Sequence, residues 1–149
     1  MDEHSNTLTV KVKYHTDIDK LEQIKIGDAI DVRAAKDISL KFMQHTKIPL
    51  GFSCEIPEGY IALLMPRSST FNRYGIMQCN SIGLIDNSYC GNADEWAMPV
   101  IAMRNDVFIQ KNDRIGQFLI IPKMPTIQFE TVDDLENENR GGFGSTGRN

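Results

Sequence analysis

Five short stretches of this 149-residue chain concentrate side chains that bind or activate phosphate-bearing ligands. In 66-PRSST-70, Arg67 precedes three hydroxyls, Ser68, Ser69 and Thr70. At the start of a helix such a run offers a guanidinium, hydroxyl donors and unpaired N–H groups to an anion, and it serves equally as a plain helix cap. In 80-NSIGLIDNSYCG-91 the apolar run Ile82–Ile85 delivers Asp86 into a turn, with Tyr89 just beyond. A turn aspartate often bonds only its own backbone, but beside a metal-bound polyphosphate it can orient a water for attack. In 30-IDVRAA-35, Asp31 interrupts an apolar run, and Asp37 offers a carboxylate in a similar setting nearby. The stretch 112-NDRIGQF-118 leads a turn into a strand that carries Gln117, and Asp113–Arg114 also reads as a surface pair. The end of the chain, 139-NRGGFGSTGRN-149, sets Arg140, Phe143, Ser145 and Thr146 among glycines. Glycine loses much backbone entropy on ordering and there is little here to bury, so this stretch does not fold alone. It is either a disordered terminus or an arm that orders over a ligand.

These stretches need elements to hold them, and the pattern of those elements is β. In 8-LTVKVKY-14, Leu8, Val10, Val12 and Tyr14 alternate with polar residues, the period of a half-buried strand. Further strands are predicted over residues 29–34, 59–65, 82–85, 100–103 and 116–121, separated by Gly, Pro, Asn and Asp turns. Many short strands at this spacing argue for a barrel or sandwich. One helix is predicted, over 69-STFNRY-74, with Ser69 as N-cap and Gly75 as its stop. Six residues are too few to be stable alone, so this helix must pack on the sheet. Near residue 130 the pattern turns acidic and then glycine-rich. The expected organisation is a globular body over 1–130 and an arm over 131–149.

The bulk composition excludes several classes. Formal net charge is -4 and the cations are scattered, which disfavours general nucleic-acid binding. No apolar run approaches the roughly 20 residues of a membrane span, and the acidic, polar start is no signal peptide, so a cytoplasmic protein is expected. Three cysteines form no CxxC pair, which fits reduced thiols. The three histidines have no zinc-type spacing, and no protein-ligated transition metal is expected.

The order and combination of IDVRAA, PRSST, NSIGLIDNSYCG, NDRIGQF and RGGFGSTG, running from Ile30 to Gly147, resemble the homotrimeric dUTPases. The forms PRSSTF and SYCGNADEW are similar to those of the Gram-positive bacterial and phage subgroup. The resemblance implies a distorted jelly-roll β-barrel with one short helix, assembled as a trimer with active sites between subunits. It implies that Asp86 activates the water that attacks the α-phosphorus of dUTP, giving dUMP and pyrophosphate, which limits uracil in DNA and supplies dUMP for dTMP synthesis. Arg67, Ser68, Ser69 and Gln117 would hold the α- and β-phosphates. The segment Asn80–Ile85, with Gly83, Leu84 and Ile85, would read uracil through its main chain as a hairpin, and Tyr89 would reject ribose. Phe143 would stack on uracil, a contact worth roughly 1–3 kcal/mol. Arg140, Gly144, Ser145 and Thr146 would close on the γ-phosphate. Mg²⁺ would ride on the phosphates without a direct protein ligand, with Asp31 reaching its water shell. Asp31 fits the first motif better than Asp37, because Asp31-Val32-Arg33-Ala34 follows the family's Asp-Leu-Arg-Ala. Trp96, in the longer loop 92-NADEWAMP-99, reads either as a second lid or as core or interface. A dCTP deaminase of the same fold is the rival enzyme, disfavoured because 97-AMPVIAMRN-105 has no carboxylate. A regulatory protein partner is the rival from another class, as some phage dUTPases bind repressors.

Overall fold

The computed structural model describes residues 7–144. Eleven strands and one short helix follow one another along the chain. They are β1 (Lys11–Tyr14), β2 (Ile30–Arg33), β3 (Ile38–Leu40), β4 (His45–Pro49), β5 (Phe52–Glu55), β6 (Tyr60–Met65), α1 (Thr70–Tyr74), β7 (Ile76–Gln78), β8 (Gly83–Ile85), β9 (Ala97–Ala102), β10 (Val107–Ile109) and β11 (Arg114–Pro122). The largest sheet runs β2-β11-β6-β8, and a second runs β4-β9-β7. Two-stranded pairs β1-β5 and β10-β3 complete an antiparallel, jelly-roll arrangement.

Alternation drives the core. Along β9, Met98, Val100 and Ala102 point inward and are fully buried, while the residues between them are half-exposed. In β6, Ala62 and Leu64 do the same. At the centre stand three aromatic rings: Phe52 and Trp96 lie 5.0 Å apart, and Trp96 meets Phe118 edge-on at 5.0 Å. Offset and edge-to-face pairs of this kind are worth about 0.5–1.5 kcal/mol each beyond the area they bury. Trp96 is 1% exposed, so of the two readings of its sequence it takes the core, and Phe52 O accepts its main-chain N–H at 2.9 Å.

The helix forms where the sequence predicts it, with one difference in detail. Gly75 ends it in the left-handed conformation at φ 68, donating back to Phe71 O. Ser69 occupies the N-cap position without a side-chain cap bond. The Thr70 hydroxyl instead braces the turn that leads into the helix, accepting from Arg67 N–H at 2.8 Å and donating to Ile115 O at 3.0 Å. The segment 80–85 also departs from the expected hairpin. β7 pairs with β9 and β8 pairs with β6, so the turn between them carries the chain from one sheet to another. Ser81, at φ 58, makes the corner. Beyond Pro122 the chain leaves the sheet, and every described residue from there to Gly144 is exposed.

Candidate active site

Register along the largest sheet assembles the first group of residues. Gln117 on β11 lies opposite Asp31 on β2 and Met65 on β6, so the ends of three strands meet just before the Pro66–Thr70 turn. Gln117 Nε2 donates to Pro66 O at 3.1 Å and ties the turn to β11. Asp31 stands between two guanidinium groups: Arg67 Nε is 3.1 Å from Oδ1 and Arg114 NH1 is 3.6 Å from Oδ2. This carboxylate therefore aims Arg67 rather than leaving it to sample solvent. Around these side chains opens a cleft of about 280 Å³, which Ser68 also lines. Its walls carry Lys20, Arg33, Arg67 and Arg114 against Glu22, Asp28 and Asp31. Mixed charge with a cationic excess suits a polyphosphate accompanied by a metal ion. Ser69 is half-buried at the head of the helix and is not part of the lining.

Asp37 plays a different part. It lies outside the cleft lining, and its Oδ1 accepts from Lys111 N–H at 2.7 Å, which fixes a turn. Nor do Asp113 and Arg114 form the surface pair that their adjacency suggests. Asp113 accepts from Gln110 N–H at 2.8 Å, and Arg114 turns to Asp31.

The second group gathers in another cleft, of about 450 Å³, lined by Asn80, Gly83, Leu84, Ile85, Asp86, Ser88 and Tyr89, with Trp96 at its inner wall. The Asn87 amide donates to the carbonyls of Ile56 and Pro57 at 2.9 and 2.8 Å, anchoring the turn that carries Asp86. Ser88 Oγ donates to Asp86 Oδ1 at 2.8 Å, and Oδ2 makes no hydrogen bond among the described residues. Tyr89 O–H donates to Glu95 O at 2.9 Å, which holds its ring against the loop that precedes Trp96.

The larger cleft runs along β6, and its Asp86 lies toward the opposite end of that strand from Arg67. Ile85 pairs with Ala62, so Asp86 comes level with Ile61, whereas Arg67 lies beyond Met65. About six residues of extended chain separate the two levels, on the order of 20 Å. The arm residues Arg140, Phe143 and Gly144 are exposed and line neither cleft. Ser145 and Thr146 lie outside the described residues.

Two contributions were not read from the sequence. Arg114 shares the Asp31 carboxylate, and its partner is distant in sequence. The irregular segment 20–29 forms one wall of the smaller cleft. Tyr14 pins that segment, with its hydroxyl accepting from Leu21 N–H at 2.8 Å and its ring under Lys20 Nζ at 3.9 Å. The alternation around Tyr14 was a signal for the strand but not for the wall it holds.

Comparison with known proteins places this arrangement. The dUTPase family model matches residues 20–147. The SPbeta prophage-derived deoxyuridine 5'-triphosphate nucleotidohydrolase of Bacillus subtilis is 48% identical over 144 residues, covering 94% of this chain and 99% of that protein. The deoxyuridine 5'-triphosphate nucleotidohydrolase of Fusobacterium nucleatum is 37% identical over 80% of this chain and 82% of its own length. Among solved structures, a Staphylococcus bacteriophage 80alpha dUTPase variant with dUpNHpp superposes with a TM-score of 0.77, covering 95% of this chain and 100% of that one at 22% identity. The dUTPase of Streptococcus mutans gives 0.70 over 78% of this chain and 98% of that one, at 19% identity. At such identities the likeness speaks for the fold.

Proposed function

The chain belongs to the dUTPase family, and on that premise we propose that it hydrolyses dUTP to dUMP and pyrophosphate at sites pooled between the subunits of a homotrimer. One observation carries the reading: Asp86, one oxygen held by Ser88 and the other open, lines the same cleft as Tyr89 and the Gly83–Ile85 strand.

In this reading the larger cleft takes the nucleoside. Main-chain groups of Asn80–Ile85 face the uracil edge, and the Tyr89 ring lies against the deoxyribose where a 2′-hydroxyl would need room. Asp86 Oδ2 accepts a hydrogen bond from a water and aligns it with the α-phosphorus, while the Ser88 hydroxyl steadies Oδ1. As the water attacks, its proton passes to Asp86, the new P–O bond forms opposite the bridging oxygen, and pyrophosphate leaves with the electron pair of the broken bond. The smaller cleft takes the phosphates. Arg67, aimed by Asp31, together with Ser68, Ser69 and Gln117, neutralises charge that builds on the phosphoryl oxygens. The donor set of this cleft fits Mg²⁺ held mainly on phosphate oxygens and waters, with Asp31 facing its water shell; when bound it offsets the triphosphate's charge. Arg140, Phe143, Gly144, Ser145 and Thr146 close the site, with Phe143 stacked on the base. The arm over 131–149 serves as its lid, and the body over 1–130 as its frame.

The separation of Asp86 and Arg67 along β6 supports pooling between subunits. A water-orienting carboxylate and the groups that grip the reacting phosphates must all come within about 3–3.5 Å of their targets. Asp86 and Arg67 of one chain stand too far apart for that, so each serves a different substrate molecule. Exposed apolar side chains on and beside β7 and β8 (Met77, Ile82 and Leu84) favour burial by a neighbouring copy.

The test is direct. The protein is incubated with dUTP or dCTP and Mg²⁺, and dUMP, pyrophosphate and ammonia are measured. Release of dUMP and pyrophosphate from dUTP alone is expected. Ammonia from dCTP would instead support the deaminase, and no product from either would refute hydrolysis.

A further inference from the structure

Beneath the larger cleft, a buried amide sets the hydrogen-bonding character that the cleft presents. Gln78, the last residue of β7, is 7% exposed. Its Nε2 lies 3.2 Å from Leu64 O and 2.9 Å from Asn80 Oδ1. A main-chain carbonyl only accepts hydrogen bonds, so the group facing Leu64 O is the NH₂ and not the amide oxygen. The two Nε2 hydrogens are then committed, one to Leu64 and one to Asn80. Asn80 is fixed in turn: Oδ1 faces Gln78, and Nδ2 faces away, with no hydrogen bond among the described residues. Asn80 lines the cleft, and its Nδ2 stands 3.5 Å from where a Cβ on Gly83 would be, above the floor that the missing side chain leaves open.

Packing does not account for glutamine at this position. Gln78 Oε1 is buried without a partner among the described residues. A bare buried acceptor costs about 1–3 kcal/mol, which an aliphatic side chain would avoid. What the glutamine contributes is the polarity it imposes on Asn80.

The geometry points to Gln78 as a positioning residue that holds Asn80 as a hydrogen-bond donor, so that the cleft selects a pyrimidine with a carbonyl oxygen at C4, as in uracil, over one with an amine there, as in cytosine. This rests on the reading of the cleft as the nucleoside site. A cytosine amine would meet the Asn80 NH₂ donor to donor, and a polar group left unpaired in a closed site discriminates strongly.

Two substitutions test the idea through the ratio of the dCTP inhibition constant to the dUTP KM. Gln78→Met keeps length and approximate volume but removes the NH₂, freeing the Asn80 amide to turn over. The expected result is a dUTP KM raised roughly tenfold, kcat within about twofold of the parent, and a ratio narrowed by roughly tenfold. Asn80→Asp keeps the size and the bond from Gln78 but puts an acceptor where the donor was. Here dUTP should weaken further while dCTP binds more tightly than to the parent. A parental ratio in both variants overturns the inference, as does a Gln78→Met protein that loses stability or kcat with its ratio unmoved. Should Gln78→Met not fold, the Asn80→Asp ratio decides alone. A parent protein that fails to turn over dUTP refutes the proposed reaction instead. In that case the same ratio, read from calorimetric affinities for dUMP and dCMP, still decides this inference.

Discussion

Mixing two inactive variants should restore activity that neither has alone. Take Asp86→Asn, which spoils the larger cleft, and Arg67→Gln, which spoils the smaller one. The two residues lie at opposite ends of β6, about six residues of extended chain apart, or on the order of 20 Å. If one site combines Asp86 of one subunit with Arg67 of its neighbour, each pure variant has every site broken. In a random equal mixture, a site needs its Asp86 donor to be the Arg67→Gln chain, a chance of one in two. It also needs its Arg67 donor to be the Asp86→Asn chain, again one in two. About a quarter of the sites are then whole, so co-refolded protein should recover about 25% of parental turnover. Turnover is read as pyrophosphate release from dUTP, after native mass spectrometry has verified that mixed assemblies formed. Mixed assemblies as inactive as the two parents would refute the argument from strand register and return both residues to one site within a single chain.

Asp86→Asn alone should lower kcat at least a hundredfold while dUTP affinity stays within a few fold, because the amide cannot take the water's proton; turnover and calorimetric binding are measured together. Tyr89→Ala should narrow the preference for dUTP over UTP, since it opens the space beside C2′ and releases the bond to Glu95 O; the check is kcat/KM for both nucleotides. Burial pushes the Cys54 thiol from its ordinary 9.0 up to about 12. The fold therefore holds this proton more tightly than the unfolded chain does, and the resulting stability, complete below pH 9.0, is lost as pH rises toward about 12. Near pH 10.5 the loss should be about 2 kcal/mol, and urea midpoints of Cys54→Ala should fall less steeply over the same range.

What the sequence made legible follows from how each signal is encoded. Alternation over residues 8–14 announced β1, short apolar runs bounded by turn residues announced β2, β6, β8, β9 and β11, and Gly75 announced the end of the helix. Three of the four three-residue strands, β3, β7 and β10, are too short to show a pattern, and they exist because their neighbours pair with them. Asp31 and Asp37 were separable by motif, and their contacts differ accordingly: one meets two guanidinium groups, the other a turn N–H. Arg114 was read beside Asp113 because adjacency is all that a lone sequence offers, while its actual partner comes from another strand. The hairpin over Asn80–Ile85 came from the family resemblance and not from the residues themselves. Nothing local reveals that the two strands pair with different sheets. The wall over residues 20–29 carries no period at all and takes its place through Tyr14.

The length of β6 has a consequence in time and concentration. If Asp86 at one end of this strand activates the water and Arg67 at the other grips the phosphates, a solitary chain owns every tool and can use none of them on one molecule. On this reading a freshly synthesised chain is inert, and hydrolysis begins only once chains have met. Specific activity should then depend on protein concentration, collapsing on dilution below the point where the assembly dissociates. Dose would act as a threshold rather than a scale: halving expression near that point would remove far more than half of the nucleotide hydrolysis.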